Sequence, residues 1–253
     1  MSRRASHRRP VARRRVSVVG VLGELMLTAG VLVGLFLVWQ LGWNNVVFGA
    51  DQGAAAAEQS DTWVKAAKST PKAAAVTPDA PLVDATNYPN GQSFAVTFIP
   101  RFDETYPRAV AQGTGLDVLN SRKSGIGHYP NTQMPGEIGN FAIAAHRNIK
   151  GANWVTIQTL QVGDPIYVQT KDGWYTYRFR NFEYVHPTGV DVLKPVPQRP
   201  DIVAKDRIIT LTTCNPLNDY RERIIAYGTF ESWRPLAEGV PPEIADAVAK
   251  WSK

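Results

Sequence analysis

The spacing of hydrophobic and polar residues changes three times along the chain. From Val16 to Trp39 the sequence is almost continuously apolar, and Glu24 is its only charged residue. About 20 apolar residues, each rising 1.5 Å in a helix, are enough to span the hydrocarbon core of a bilayer. The pattern therefore predicts a transmembrane helix over residues 16–39.

Residues 40–87 have little apolar periodicity and are rich in Ala, Pro, Thr and Lys. A segment of this composition buries too little apolar surface to offset the entropy that its chain loses on folding. It is typical of a spacer between domains, although its Ala-rich part is compatible with a helix. The sequence therefore predicts a linker over residues 40–87.

From residue 88 onward, short apolar runs alternate with turn-forming residues. Strands are predicted at 93–99, 139–146, 207–214 and 223–230, and a Lys-Asp-Gly turn joins 164–170 to 174–185 as a hairpin. Short helices are predicted at 152–160 and 242–253. Several short strands with few helices predict an all-β sandwich or barrel of about 150 residues.

The positive charge of the chain is concentrated at its N-terminus. Residues 1–15 hold seven of the 28 lysines and arginines, and the other 21 are balanced by 22 acidic residues. The nearly neutral body disfavours nucleic-acid binding, which needs a basic face on the folded part. A basic cluster before a single apolar span indicates a cytoplasmic tail over 1–15 and an extracellular body, with Trp39 and Trp43 at the outer interface.

A cleaved signal peptide is the alternative to a retained anchor. The apolar core of a signal peptide is usually only about 7–15 residues long. The run from Val16 to Trp39 is longer, so the sequence favours a retained, single-pass membrane anchor.

Cys214 is the only cysteine, and it ends an apolar run in the stretch TLTTCNP. One cysteine cannot form an internal disulfide, and a buried free cysteine often only fills space. Its position at a strand end, before a turn and outside the cell, favours a reactive thiol. Cys214 is therefore a candidate nucleophile.

A nucleophilic thiol needs a group that handles its proton. Outside the basic tail the candidates are His146, His128 and His186, and His146 ends the run FAIAAH much as Cys214 ends ITLTTC. Arg221 and Arg223 begin the next strand and could stabilise an oxyanion there, but they share a face, so their spacing does not choose between them. Motifs of zinc hydrolases, P-loop nucleotide enzymes and serine hydrolases are absent from the sequence.

Three ordered segments resemble the sortases, the membrane-anchored cysteine transpeptidases of Gram-positive bacteria. TLTTC matches their TLxTC signature, GHYPNTQMPGEIGNFAIAAHR resembles their histidine region, and RERIIAYGTF resembles their arginine strand. The resemblance covers roughly residues 90–233 and the N-terminal anchor. It implies a closed, mainly-β barrel of about eight strands with short helices over 88–235, and a C-terminal tail or short helix over 236–253.

The resemblance also assigns roles to individual residues. It implies that Cys214 is the nucleophile, His146 the general acid and base, and Arg223 the substrate-positioning and oxyanion-stabilising arginine, with Arg221 as second choice. Thr213 and Tyr106 are expected to bind substrate. No cofactor is implied, but calcium activation is known in some sortases; Asp191 and Asp201 alone do not make a convincing calcium cage.

The implied reaction is cleavage of the Thr-Gly bond of an LPxTG-type sorting signal, followed by transfer of the thioacyl group to the stem-peptide amine of a cell-wall precursor. The partners are then surface proteins or pilins that carry the signal. The motifs look most like class E, the housekeeping sortases of high-GC Gram-positive bacteria, which tend to accept LAxTG. The alternatives are a pilus-polymerising sortase and a non-catalytic, membrane-tethered adaptor.

Overall fold

A computed structural model describes residues 17–69, 80–103 and 107–251. The chain forms two compact units, one ending at Gly42 and one beginning at Trp43. In the first, helix α1 spans Val18–Val38 and buries no side chain. It is long and apolar enough to cross a membrane, in agreement with the predicted span. The predicted basic tail, 1–15, lies outside the described residues.

The second unit contains a closed barrel of eight strands within its described residues. The strands are β1 (Ser93–Phe98), β2 (Arg108–Gln112), β3 (Ile126–His128), β4 (Gly139–Ala145), β5 (Pro165–Gln169), β6 (Gly173–Val185), β7 (Arg207–Asn215) and β8 (Glu222–Pro235). Around the barrel they follow the order β1-β2-β3-β4-β7-β8-β6-β5. Only the β2–β3 and β4–β7 pairs are parallel. The predicted fold class, a closed mainly-β barrel with short helices, is confirmed.

Alternation along the strands fills the interior of the barrel. On β7, Ile209 and Leu211 are fully buried in the core, while Ile208 belongs to a separate apolar cluster with Val192. The other core side chains include Phe94, Val110, Ile126, Phe141, Ile143, Ile166, Val168, Tyr175, Tyr177, Phe179 and Ile224. Because every second residue of β7 points inward, its intervening residues are available to the outer face.

Two strands were not predicted from the sequence. β2 is the five-residue segment RAVAQ and β3 is only three residues long. Runs this short show too little alternation to indicate a strand. Their pairing with longer neighbours supplies the hydrogen bonds that stabilise them.

Helix α2 (Asn44–Ser69) differs from the spacer that composition predicts for this region. Phe48, Gln52, Ala56 and Ser60 are buried, and their spacing of four residues forms one stripe along the helix. Ala56 packs against Val96 and Ala109 on the outside of the barrel. The stripe consists largely of small and polar residues, so hydropathy gives no amphipathic signal, yet small side chains let the helix approach the sheet closely.

Residues 80–92 also follow the barrel surface. Tyr175 donates a hydrogen bond of 2.5 Å to the Leu82 carbonyl, and the buried Asp84 carboxylate accepts one from Tyr88 at 2.5 Å. Lys171 lies 3.0 Å from the same carboxylate. These contacts hold the last residues of the predicted linker, around Leu82 and Asp84, against the barrel. Residues 70–79 lie outside the described part of the chain.

The remaining helices are short. They are the π-helical segment Trp39–Trp43, α3 (Leu116–Leu119), α4 (Ala245–Val248) and the 3-10 segments Ile157–Thr159, Val190–Leu193, Leu236–Glu238 and Pro242–Ile244. The helix predicted at 152–160 is instead a series of tight turns, because Trp154, Ile157 and Leu160, spaced three apart, reach the core through 3-10 geometry. The C-terminal helix prediction is matched only over a few residues.

Candidate active site

Three adjacent strands bring the predicted catalytic residues to one end of the barrel. On β7, Cys214 is the next-to-last residue and pairs with Arg223, the second residue of β8. The parallel neighbour β4 has Ala144 opposite Thr212 and ends at Ala145, so His146 follows at the level of Cys214. The thiol strand therefore has the histidine on one side and the arginine on the other. We call this the catalytic end of the barrel.

The alternation of β7 directs Cys214 away from the core. Thr213, the preceding residue, is buried and donates a 2.7 Å hydrogen bond to the Ala145 carbonyl. Cys214 is partly exposed and is a free thiol. The Thr213 hydroxyl thus fastens β7 to β4, and its predicted contact with substrate stays a prediction. Tyr106 lies outside the described residues.

His146 is held by a residue that the sequence did not indicate. Its Nε2 lies 2.9 Å from Oδ1 of Asn120, at the end of α3. An amide oxygen only accepts hydrogen bonds, so Nε2 carries the proton and Nδ1 is left as the basic nitrogen. Burial, together with the nearby Lys150 cation, lowers the pKa of His146 below its ordinary value. The imidazole is therefore neutral near pH 7 and able to accept a proton.

Arg147, the residue after His146, also joins the site. Its guanidinium is buried and donates to the Cys214 carbonyl at 3.2 Å, to Oδ1 of Asn215 at 2.6 Å and to Oε1 of Gln158 at 3.0 Å. It links the end of the nucleophile strand to the loop that carries the histidine. Its position in the segment AAHR, directly after a strand-end histidine, was the available sequence signal.

The structure distinguishes the two candidate arginines. Arg223 is half-buried, and its Nη1 donates to the carbonyls of Tyr220 and Glu222, each at 2.9 Å. Arg221 has a side chain that is 77% exposed and forms an ion pair with Asp219 at 2.5 Å. Arg223 is the one paired with Cys214. The geometry therefore favours Arg223 as the oxyanion-stabilising candidate.

The other two histidines lie elsewhere. His128 is buried on β3, where Gln112 and the Gln133 carbonyl lie 2.8 and 3.0 Å from its ring nitrogens. Burial lowers its pKa to about 4, although the Gln133 hydrogen bond opposes this shift. His186 is exposed beyond the end of β6. His128 is thus a neutral part of the barrel packing.

A cavity of about 370 Å³ lies between two loops on the surface of the barrel unit. Its walls are the loop Tyr129–Thr132 and the segments around Val190 and Leu193–Pro195. The Tyr129 hydroxyl lies 2.9 Å from the hydroxyl of Thr212, two residues before Cys214. Such a mostly apolar groove can receive an extended peptide whose next residues reach the thiol.

The described residues contain no cluster of three or more His, Cys, Asp or Glu that could hold a metal ion. Asp201 is exposed and forms an ion pair with Arg199 at 2.9 Å. Asp191 lies in the 3-10 segment Val190–Leu193. Calcium activation, which the resemblance left open, is not tested by these contacts.

Comparison with known proteins gives consistent matches. The sortase domain family model matches residues 98–231. Sortase SrtE1 of Streptomyces coelicolor is 34% identical over 94% of this chain, which spans only 64% of the length of that protein. Sortase SrtE2 of the same organism is 33% identical over 87% of this chain and 85% of its own length.

Solved structures agree with the sequence matches. A SrtA sortase from Actinomyces oris is 37% identical, with a TM-score of 0.61, over 66% of this chain and 94% of that one. Sortase E1 from Streptomyces coelicolor, solved with a tripeptide in its active site, is 35% identical, with a TM-score of 0.56, over 61% of this chain and 98% of that one.

Proposed function

This chain belongs to the sortase family of cysteine transpeptidases, with its likeness to class E, and we propose that it is a membrane-anchored enzyme that sorts proteins to the cell wall. It cleaves the Thr-Gly bond of an LPxTG- or LAxTG-type signal and transfers the new carboxyl terminus to an amine. The observation that carries the proposal is the strand adjacency of His146, Cys214 and Arg223.

Substrate binding begins in the groove beside β7. An extended signal peptide lies with its apolar residues in the cavity between Tyr129 and Leu193 and its Thr-Gly bond at Cys214. Holding the scissile carbonyl at the thiol turns a bimolecular encounter into a step within one complex.

The first chemical step forms a thioester. His146 is neutral, so its Nδ1 takes the proton of the Cys214 thiol as sulfur attacks the threonine carbonyl. Arg223 donates hydrogen bonds to the oxygen on which negative charge develops. His146 then gives the proton to the glycine amine, the C–N bond breaks, and the imidazole returns to its neutral form.

The second step resolves the thioester. An incoming amine attacks the thioacyl carbon, His146 accepts a proton from that amine, and the proton passes to the departing Cys214 sulfur. We propose the stem-peptide amine of a cell-wall precursor as the acceptor. An acceptor of this kind is attached to the outer face of the cell membrane. This fits a single-pass anchor formed by α1, with the N-terminus in the cytoplasm and the barrel outside.

A peptide assay tests the chemistry. The detergent-solubilised chain is incubated with an LPxTG or LAxTG peptide and an amine, and the products are followed by mass spectrometry. We expect cleavage after threonine, transfer to the amine and a thioacyl adduct on Cys214. A Cys214→Ala chain is the control and should give none of these. If the unaltered chain forms no adduct and no product with either peptide series, the proposed activity is wrong, and a non-catalytic adaptor becomes the better reading.

A second comparison separates the two kinds of sortase. Offering a stem-peptide amine and a pilin lysine peptide at equal concentration reveals which acceptor the thioester prefers. Preference for the stem-peptide amine supports wall anchoring, and preference for the lysine peptide supports pilus polymerisation. The same assay with Pro or Ala at the second signal position decides between LPxTG and LAxTG.

A further inference from the structure

The polypeptide enters the barrel unit at its catalytic end. The first residues of α2 lie there, because the Asn45 side chain donates a 2.8 Å hydrogen bond to the Asn148 carbonyl, two residues after His146. Asn148 in turn donates to Asn218 in the loop after Cys214. The start of α2, the histidine loop and the cysteine loop are therefore joined in one row of hydrogen bonds.

From that point α2 runs toward the opposite end of the barrel. Gln59 lies further along the helix and bonds to Ser93, the first residue of β1, with its Nε2 3.3 Å from the Ser93 carbonyl. Because β1 runs in the same direction as β7, Ser93 lies at the end away from Cys214. The helix therefore leads away from the catalytic end, and only its first turns lie beside the site.

The segment that connects α1 to α2 is short. Six peptide units join Val38, the last residue of the apolar helix, to Asn44, the first residue of α2. A segment of that length spans at most about 20 Å in any conformation. The catalytic end is thus the part of the barrel unit to which the apolar helix is directly connected, through a short segment.

The side chains exposed at the catalytic end suit that location. Among the described residues of the barrel unit, the large aromatic side chains that are strongly exposed are Trp43, Tyr184 and Tyr220, at 61%, 54% and 76%. Tyr184 is opposite Ile224, next to Arg223, and Tyr220 lies in the loop after Cys214. Trp and Tyr are the residues that concentrate at membrane interfaces.

Aliphatic side chains accompany these rings. Val46 on the first turn of α2 is 63% exposed, and Ile149 and Leu217, which flank Asn148 and Asn218, are each 46% exposed. Apolar side chains grouped around a catalytic site need a partner to cover them. The nearby bilayer is the partner that the chain connection supplies.

We propose that the catalytic end of the barrel docks on the surface of a lipid bilayer through Trp43, Val46, Ile149, Leu217 and Tyr220. This inference rests on the membrane anchoring proposed above and not on the proposed chemistry. It makes the active site face membrane-attached substrates directly. It also predicts that residues 44–69 lie along the barrel and do not act as a spacer between the domain and the membrane.

Depth-dependent fluorescence quenching tests the docking. The full chain carries Cys214→Ala, so that a single new cysteine can be labelled with bimane, and it is inserted into phosphatidylcholine–phosphatidylglycerol vesicles with doxyl-labelled lipid. The label is placed at Tyr220→Cys or, independently, at Val46→Cys. The control is Val203→Cys, which is 80% exposed and precedes β7 at the opposite end.

We expect lipid quenching at positions 220 and 46 to exceed that at 203 by at least about two-fold, because interfacial side chains insert several ångströms into the headgroup region. Equal, weak quenching at all three positions in vesicles that retain the protein overturns the docking. Failure of the protein to float with the vesicles overturns the anchoring and the docking together. Since the labelled chain has no nucleophile, neither result depends on the transpeptidase proposal.

Discussion

The two ends of the barrel are built from different interactions. At the catalytic end, side chains of Asn120, Arg147 and Asn148 hold loops in place through hydrogen bonds. At the opposite end, Trp174 and Leu236 belong to an apolar cluster that α2 and the C-terminal segment cover. Apolar burial stabilises the fold without direction, whereas hydrogen bonds fix atoms at defined distances. We infer that the apolar cluster at the opposite end contributes stability without positioning the catalytic residues, so that stability and activity can be changed separately.

The largest expected effect is a loss of stability at the opposite end. Trp174 is fully buried, with its ring centroid 6.2 Å from that of Trp251. Trp174→Ala should lower the free energy of unfolding by about 3–5 kcal/mol because it leaves a large cavity. Thermal unfolding measures this, and kcat/KM below the transition should be nearly unchanged. A large fall in kcat/KM of the folded variant would show that the ends are coupled.

At the catalytic end, Arg223→Ala should lower activity strongly and leave stability nearly unchanged. Loss of an oxyanion donor should lower kcat by about 100- to 1000-fold while the unfolding temperature changes little. The matched control is Arg221→Ala, which removes an exposed ion pair and should change kcat by less than about threefold. If the peptide assay shows the opposite ranking, Arg221 is the functional arginine.

Arg147 tests whether positioning requires the hydrogen bonds to the nucleophile strand. Arg147→Gln removes charged donors to Cys214 and Asn215, bonds typically worth about 1.5–3 kcal/mol, so kcat should fall by roughly 10- to 100-fold. KM should change little, because Arg147 holds the strand and not the groove. Arg147→Lys should restore only part of the rate, since an ammonium lacks the planar fork. If the unaltered chain, Arg147→Gln and Arg147→Lys were equally active, Arg147 would have only a packing role.

Asn120 controls the orientation and protonation of His146. Asn120→Ala should lower kcat/KM by about tenfold, because the imidazole loses the group that fixes its tautomer. Asn120→Asp keeps the acceptor and adds a negative charge, which favours the imidazolium. Its kcat/KM profile should therefore lose activity on the acid side at a higher pH than the unaltered chain. An unshifted acid limb in Asn120→Asp would argue against this contact.

The smallest effect is expected from Lys150. Burial and the Lys150 cation both lower the pKa of His146, and the base works only in its neutral form. Lys150→Gln removes one of these causes, so the pKa of His146 should rise and the acid limb of kcat/KM should move up by roughly a few tenths of a pH unit. Lys205→Gln, which changes an exposed lysine just before β7 at the opposite end of the barrel, is the control. A downward shift would contradict the assigned sign.

Much of the barrel was predictable because its signals are local. Alternation in SFAVTFI and RIITLTTC and the Asp-Gly turn before Trp174 indicate strands within windows of a few residues. The strands β2 and β3 are too short for such a signal. The buried face of α2 was missed because its residues, such as Gln52 and Ala56, are not strongly hydrophobic. Its burial depends on Val96 of β1 and Ala109 of β2, which pack against it, and not on its own composition alone.

The residues of the candidate site also divide into those that the sequence predicted and those that it did not. The resemblance assigned Cys214, His146 and Arg223, and the register of three strands brings them together. Asn120 lies in the polar segment at the end of α3, 26 residues before the histidine that it contacts, and the resemblance assigned no role to Arg147. No local pattern distinguishes a loop asparagine that orients an imidazole from one that is only solvated.

By itself, then, the sequence determined the apolar span, the strand-rich domain, the strand-end thiol and the family to which these belong. Each of these is expressed in a short stretch of chain, where periodicity, turn chemistry or a motif can be read directly. Only the tertiary structure decided that α2 packs along the barrel, that its first turn lies beside the histidine loop, and that Asn120 and Arg147 support the site. Those features depend on pairs of residues far apart in sequence, whose contact exists only after the barrel has closed.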